Sequence, residues 1–135
     1  MGFNLANQDQ MFSDDAEVWA RVDHPDQIDV FFEVLTRSKR HPENKTKLKG
    51  LSRKLSKDRQ IAERRKQEID PLKYEGDLLA LTAGLVIDWR GISEGKNDVE
   101  FNREKLVELM KTQPWIFSQI DKFQADDNNF FGTGA

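Results

Sequence analysis

The chain has 135 residues, 37% hydrophobic and 33% charged, which suits one domain with a single core and is too short for two. Its 21 Lys and Arg stand against 24 Asp and Glu for a formal net charge of −3, yet residues 37–66 hold 13 basic and 3 acidic groups, leaving 8 basic and 21 acidic elsewhere. There is no cysteine, which excludes disulfides, thiolate metal sites and Cys nucleophiles, and the longest apolar run, residues 78–87, is half the ~20 residues a membrane span needs.

In chain order, residues 1–16 read as a flexible arm, with Phe3, Leu5, Met11 and Phe12 scattered among Asn and Gln. The arm has neither the basic start nor the long apolar region of a secretory leader. From Glu17 the pattern has period two: Val18, Ala20 and Val22 share one face, and Glu17, Trp19 and Arg21 the other. A turn cluster at 23–27 contains Asp and Pro, and a second alternating run follows from Ile28 through Val30, Phe32 and Val34. Residues 17–36 are therefore expected to form a β-hairpin, which must pack its apolar face on something to be stable.

Residues 37–70 form the basic segment. Its first part, 38–50, is loop-like, with Pro42, Asn44 and Gly50 among lysines. Leu48, Leu51, Leu55, Ala62 and Ile69 then recur at helical spacing on one narrow stripe, and Pro71 is expected to end that helix. The stripe carries too little apolar surface for a helix to stand alone.

Residues 71–127 read as a helical core of about three helices. Leu78, Leu81, Leu85, Val86 and Trp89 mark a central buried helix over 76–89, with a buried strand at 85–89 as the competing reading. After a polar connector at 91–100, Asn102 reads as an N-cap between Phe101 and Leu106, the pair of a hydrophobic staple. Pro114 suits the first position of a further helix, in which Ile116, Ile120 and Phe123 share a face. Residues 126–129 stop it, and 128–135 read as a flexible tail. The fold class expected is α+β, mainly α: an N-terminal hairpin, a basic helical segment and a small C-terminal bundle.

Catalytic hardware is sparse. The only histidines, His24 and His41, both precede proline, and Asp23-His24-Pro25-Asp26 reads as a turn sooner than as a metal site. No phosphate loop or nucleophile elbow occurs. Neither an enzyme nor a cofactor or metal is expected.

Three features point to binding. The basic block, with Arg53, Lys54, Arg64 and Arg65 as candidate contacts, suits phosphates, an acidic protein surface, or simple solvation. It lacks any aromatic residue between Phe32 and Tyr74 to stack a base, which disfavours nucleic acid. Trp19, Phe31 and Leu35 share the mixed face of the hairpin and form either an exposed partner patch or a surface covered by the basic helix. Phe130 and Phe131 in the tail, like the apolar residues of the arm, either dock back on the core or reach into a neighbour. Opposed basic and acidic regions also allow copies to stack head to tail, as rings or open spirals.

The second half carries a resemblance. An apolar stretch from Leu79-Ala80-Leu81 to Gly84-Leu85-Val86 runs into Asp88-Trp89-Arg90-Gly91-Ile92, followed by an acidic Gly-containing loop. Val99-Glu100-Phe101-Asn102-Arg103-Glu104-Lys105-Leu106, then Pro114-Trp115 to Ile120 and Asn128-Asn129-Phe130, complete the order. Over residues 78–131 this resembles the tail assembly chaperones of long-tailed bacteriophages and prophages; the basic 37–66 block departs from their pattern. The resemblance implies a non-enzymatic assembly factor of the host cytoplasm, absent from the mature virion. It would bind the tape measure protein and recruit tail tube protein, and many members also have a frameshifted longer form. The alternatives are a nucleic-acid-binding accessory protein using the 37–66 block, and a minor tail or connector subunit of the virion.

Overall fold

The computed structural model describes residues 2–6, 11–68 and 72–131. It is an α+β fold in which helices cover one face of a three-stranded antiparallel sheet. Strands β1 (Glu17–Asp23) and β2 (Phe31–Arg37) pair in the register Val22↔Phe32, Ala20↔Val34, Val18↔Thr36. The inner face of the pair is thus apolar, as the alternation requires, and Ala20, Val22, Phe32 and Val34 are buried.

The second strand starts later than the alternation suggests. Ile28 and Val30 belong to the connector, because residues 24–30 close a hydrogen-bonded loop of their own. The His24 imidazole Nδ1 accepts the backbone N–H groups of Asp26 and Gln27, both at 3.1 Å, and the His24 N–H reaches the Val30 carbonyl at 2.9 Å. The Asp-His-Pro-Asp cluster is therefore a turn.

Helix α1 (Pro42–Arg65) begins inside the stretch expected to be a loop. Pro42 occupies the first turn, where its missing N–H costs nothing, and the His41 Nδ1 caps the helix by accepting the Glu43 N–H at 3.2 Å. Asn44, read as a loop former, is buried and donates to the Lys39 carbonyl at 2.9 Å. The helix stops at Lys66, which adopts the left-handed conformation (φ 54°), rather than at Pro71. Ile69 and Pro71 lie outside the described residues.

Helix α2 (Leu72–Gly84) ends where the apolar run was expected to continue, and β3 (Val86–Arg90) follows at once, antiparallel to β2. The strand reading of 85–89 is the right one. Gly84 breaks the helix, and Val86, Ile87 and Trp89 favour extended backbone. The helix also turns a different face inward: Leu79 and Ala83 are buried, Leu81 is half-buried and Leu78 is exposed.

The connector after β3 is a small hairpin, β4 (Ser93–Glu94) with β5 (Asn97–Asp98). Gly91 takes a positive φ (87°) beside the Phe32 backbone, a turn that would strain any other residue. Helix α3 (Arg103–Thr112) starts as expected, with Asn102 accepting the Lys105 N–H at 3.1 Å. Helix α4 (Pro114–Ala125) has Pro114 in its first turn, and a short 3-10 turn at Asp127–Phe130 follows. Leu106, Met110, Ile116 and Ile120 close the core against the sheet.

Residues 12–13 and 130–131 meet at the edge of this core. Phe130 is fully buried, and the Ser13 N–H donates to its carbonyl at 3.0 Å. Phe12 meets Phe131 edge to face, with ring centroids 5.8 Å apart. Phe130→Ala should therefore cost about 3–5 kcal/mol in urea denaturation. Phe131→Ala, at a half-exposed ring, should cost about 1 kcal/mol.

Helices α1 and α2 are clasped by the chain's single tyrosine: the Tyr74 hydroxyl donates to the Asp58 carboxylate at 2.6 Å. That bond, reinforced by burial and by the Asp58 charge, pushes the Tyr74 phenol up to about 12. Because the folded value lies above the ordinary one near 10, the stabilising contribution is complete below pH ~10 and is lost as pH rises through about 12. Tyrosinate ultraviolet absorbance should titrate with a midpoint of about 12 in the native chain, and Asp58→Ala should return it to about 10.

Candidate functional site

The residues expected to bind a partner fall in three separate places. Trp19 and Leu35 lie opposite one another on the outer face of the sheet, with Phe31 at its end. Among the described residues, the helices in contact with the sheet pack on its inner side, so α1 does not cover this patch. Charged side chains do. The Arg90 guanidinium stacks 3.9 Å from the Trp19 ring and bonds both Glu33 oxygens at 3.1 Å, and Arg21 stacks 3.7 Å from Phe31. The hydrogen bond from Arg90, aided by the Arg90 and Arg21 charges, holds the Glu33 carboxyl below its ordinary range. The outer face is an amphipathic lattice whose aromatic faces are already taken by guanidinium groups.

Arg53, Lys54, Arg64 and Arg65 all lie on α1. Lys54 pairs with Asp77 at 3.3 Å, which ties it to α2, while Arg64 and Arg65 sit in the last turn, where cations suit the helix dipole. Arg53 belongs to an outward line with Lys45, Lys49 and Lys57, spaced four residues apart, and these four make no ion pair among the described residues. Phe130 is core, and Phe131 is half-exposed against Phe12.

A concavity lies elsewhere, where the first half of α1, the second half of α2 and α4 converge. It has a volume of about 300 Å³. Its walls are Leu48 from α1, Leu78 and Leu81 from α2, and Phe117 from α4. Leu48 is 43% exposed and Leu78 51%, so this apolar surface is presented and not buried. The Lys39–Asp121 ion pair borders it.

Polar residues form its deeper lining. Gln124 is fully buried, and its amide donates to the Thr36 hydroxyl and the Thr82 carbonyl, both at 3.0 Å. Its carbonyl oxygen has no partner among the described residues. Chemically the site is a short apolar trough with one spare acceptor in its lining. It suits two or three aliphatic side chains from a helix. Nothing in it resembles a nucleophile–base pair, and among the described residues no cluster of His, Cys, Asp or Glu is placed to hold a metal ion. Among the described residues, no helix is long and apolar enough to cross a membrane.

The sequence contained a signal for this trough. Leu78, Leu79, Leu81 and Ala83 cannot all face one way on a helix, so one pair had to be left outside the core. Phe117 and Gln124, seven residues apart on α4, share a face distinct from that of Ile116, Ile120 and Phe123 only in part, and their role emerges only from the fold.

The trough lies wholly within the part of the chain that matches a known family. The family model described as YdaY prophage protein matches residues 36–131, which excludes Trp19, Phe31 and Leu35. Neither a curated protein nor a solved structure matches the chain.

Proposed function

The chain belongs to the YdaY prophage protein family, and from that premise we propose that it is a non-enzymatic tail assembly chaperone. In this reading it holds an amphipathic helix of the tape measure protein in the trough between α1, α2 and α4, and recruits tail tube subunits to it. It acts in the host cytoplasm and leaves before the virion is complete.

The observation that carries the reading is the apolar wall formed by Leu48, Leu78, Leu81 and Phe117, of which Leu48 and Leu78 are exposed. A chaperone for a long helical protein has to cover apolar helix faces reversibly. Helix-in-groove docking does this through anchors at i, i+3 or i+4. Each fully buried aliphatic side chain contributes roughly 1.5–3 kcal/mol. Two or three anchors, less the cost of association, give a hold that is specific yet releasable. The resemblance of residues 78–131 to tail assembly chaperones points the same way, and the trough draws most of its wall from that region.

The test is co-expression of the full chain with the tape measure protein of the same prophage. The wild-type chain should keep the tape measure protein soluble and copurify with it. Leu78→Asp places a charge at an exposed position, so it should leave the thermal midpoint within a few degrees while weakening copurification at least tenfold, about 1.4 kcal/mol. Equal binding by Leu78→Asp would remove the trough from the mechanism. No effect of the wild-type chain on the tape measure protein, or its presence in finished particles, would sink the chaperone reading itself.

A further inference from the structure

The molecule has a second exposed apolar feature, at the opposite end of the sheet. Ile28 is 91% exposed, and Val30 beside it is 48% exposed. The loop that presents them is fastened by the His24 N–H to Val30 carbonyl bond, the Val30 N–H to Gln27 carbonyl bond at 3.2 Å, and the two bonds onto the His24 ring. Ile28 is therefore held out by a built turn. Asp26 and Asp29 flank it, and neither makes an ion pair among the described residues.

The trough is the complement of that tip. It offers Leu48 and Leu78 to an aliphatic side chain, and Lys47, which lines the adjoining concavity with Leu81, makes no ion pair among the described residues. The two cannot meet within one molecule. The loop leaves β2 at Phe31, whereas α1 departs beyond Arg37, so the seven-residue strand holds them roughly 20 Å apart.

We propose that the 24–30 loop of one copy docks into the trough of a second copy, with Ile28 against Leu48 and Leu78, and Asp26 and Asp29 facing Lys47. The contact is heterologous: each copy in it keeps one free loop or one free trough. Association therefore continues, as a ring if the rotation closes and as an open spiral if it does not. The inference stands whether or not the tape measure protein binds, since both partners here are the same chain. Both occupants would use the same leucines and so would exclude one another.

Sedimentation velocity of the purified full chain alone tests this. At about 0.1 M salt the average mass should rise with concentration, and at about 1 M salt, where screening shortens from ~10 to ~3 Å, association should weaken several-fold. Ile28→Asp and Leu78→Asp each alter an exposed residue, and circular dichroism should show both variants folded. Each should weaken self-association at least about 30-fold, as the loss of a central anchor does. Mixed together they should form a dimer and nothing larger, because one supplies an intact trough and the other an intact loop. A wild-type chain that stays monomeric at all concentrations overturns the proposal, and so does association that survives both substitutions or a mixture that forms no dimer. A mass increase seen only when duplex DNA is added would instead assign the cationic helix to nucleic acid.

Discussion

The arrangement of the second half of the molecule depends on one buried amide. Gln124, on the last full turn of α4, donates from its side chain to Thr36 on β2 and to the Thr82 carbonyl on α2, and its own backbone carbonyl receives the Lys39 N–H at 3.1 Å. Three elements and the β2–α1 connector meet at that residue. It fixes where the chain leaves the sheet, and through Lys39 and Asn44 it fixes the direction in which α1 sets out. Such a node is costly to lose, because each broken bond strands a buried polar group at about 1–3 kcal/mol. It also shapes the trough. An aliphatic residue in its place would let α2 and α4 close up over an apolar seam, whereas a hydrogen-bonded amide holds them at a set distance and leaves Leu78, Leu81 and Phe117 with a free side.

Electrostatics acts on the same junction in a graded way. Cations close to the body are matched by acids distant in sequence: Lys39 by Asp121, Arg40 by Asp127 at 2.9 Å, Lys54 by Asp77. These pairs are exposed or half-exposed, so each contributes at most about 1 kcal/mol and serves chiefly to place the helix. Farther out, Lys45, Lys49, Arg53 and Lys57 repeat every fourth residue, a spacing at which like charges disfavour the helix by a few tenths of a kcal/mol per pair. The helix forms regardless, because His41 and Lys66 cap its ends, the Tyr74–Asp58 bond clasps its middle and its leucine stripe packs on α2. A net charge of −3 thus conceals a structure in which neutralisation is complete at the foot of α1 and absent along its outer line.

Much of this was legible wherever the signal was local. Asn102 as a cap and Pro114 in a first turn follow from chemistry within one turn of helix, and the structure keeps both. The inward face of β1 was equally plain from period two. Residues 85–89 misled because a short apolar run satisfies helical and extended spacing alike. Only Gly84 discriminated, together with a register shift at Leu35/Thr36 that no sequence pattern announces. The start of α1 was missed for the opposite reason. Pro42 and Asn44 are turn formers in isolation, but Pro is favourable at the head of a helix, and Asn44 is buried by a bond to Lys39 that exists only in the folded chain. The tail phenylalanines are similar: Phe130 looks stranded among polar residues until Ser13 and Phe123 are seen to cover it.

The places where local rules failed are also where apolar surface is left in the open. Leu78 breaks the expectation that the most apolar segment is buried throughout, and Ile28 breaks the expectation that an alternating run continues as a strand. Neither exposure is explained by a poorly held backbone, since Leu78 lies within a helix and Ile28 on a loop closed by four hydrogen bonds. A core could have absorbed either residue by a small change, a shift of α2 by one position or a tighter hairpin turn. Instead Leu79 and Ala83 take the inward positions and the His24 ring holds the wider turn open. Departures from local consistency that are individually well built point to surfaces kept for contact with another molecule. In this chain one of the two surfaces is an aliphatic tip flanked by Asp26 and Asp29, and the other is an apolar trough beside Lys47.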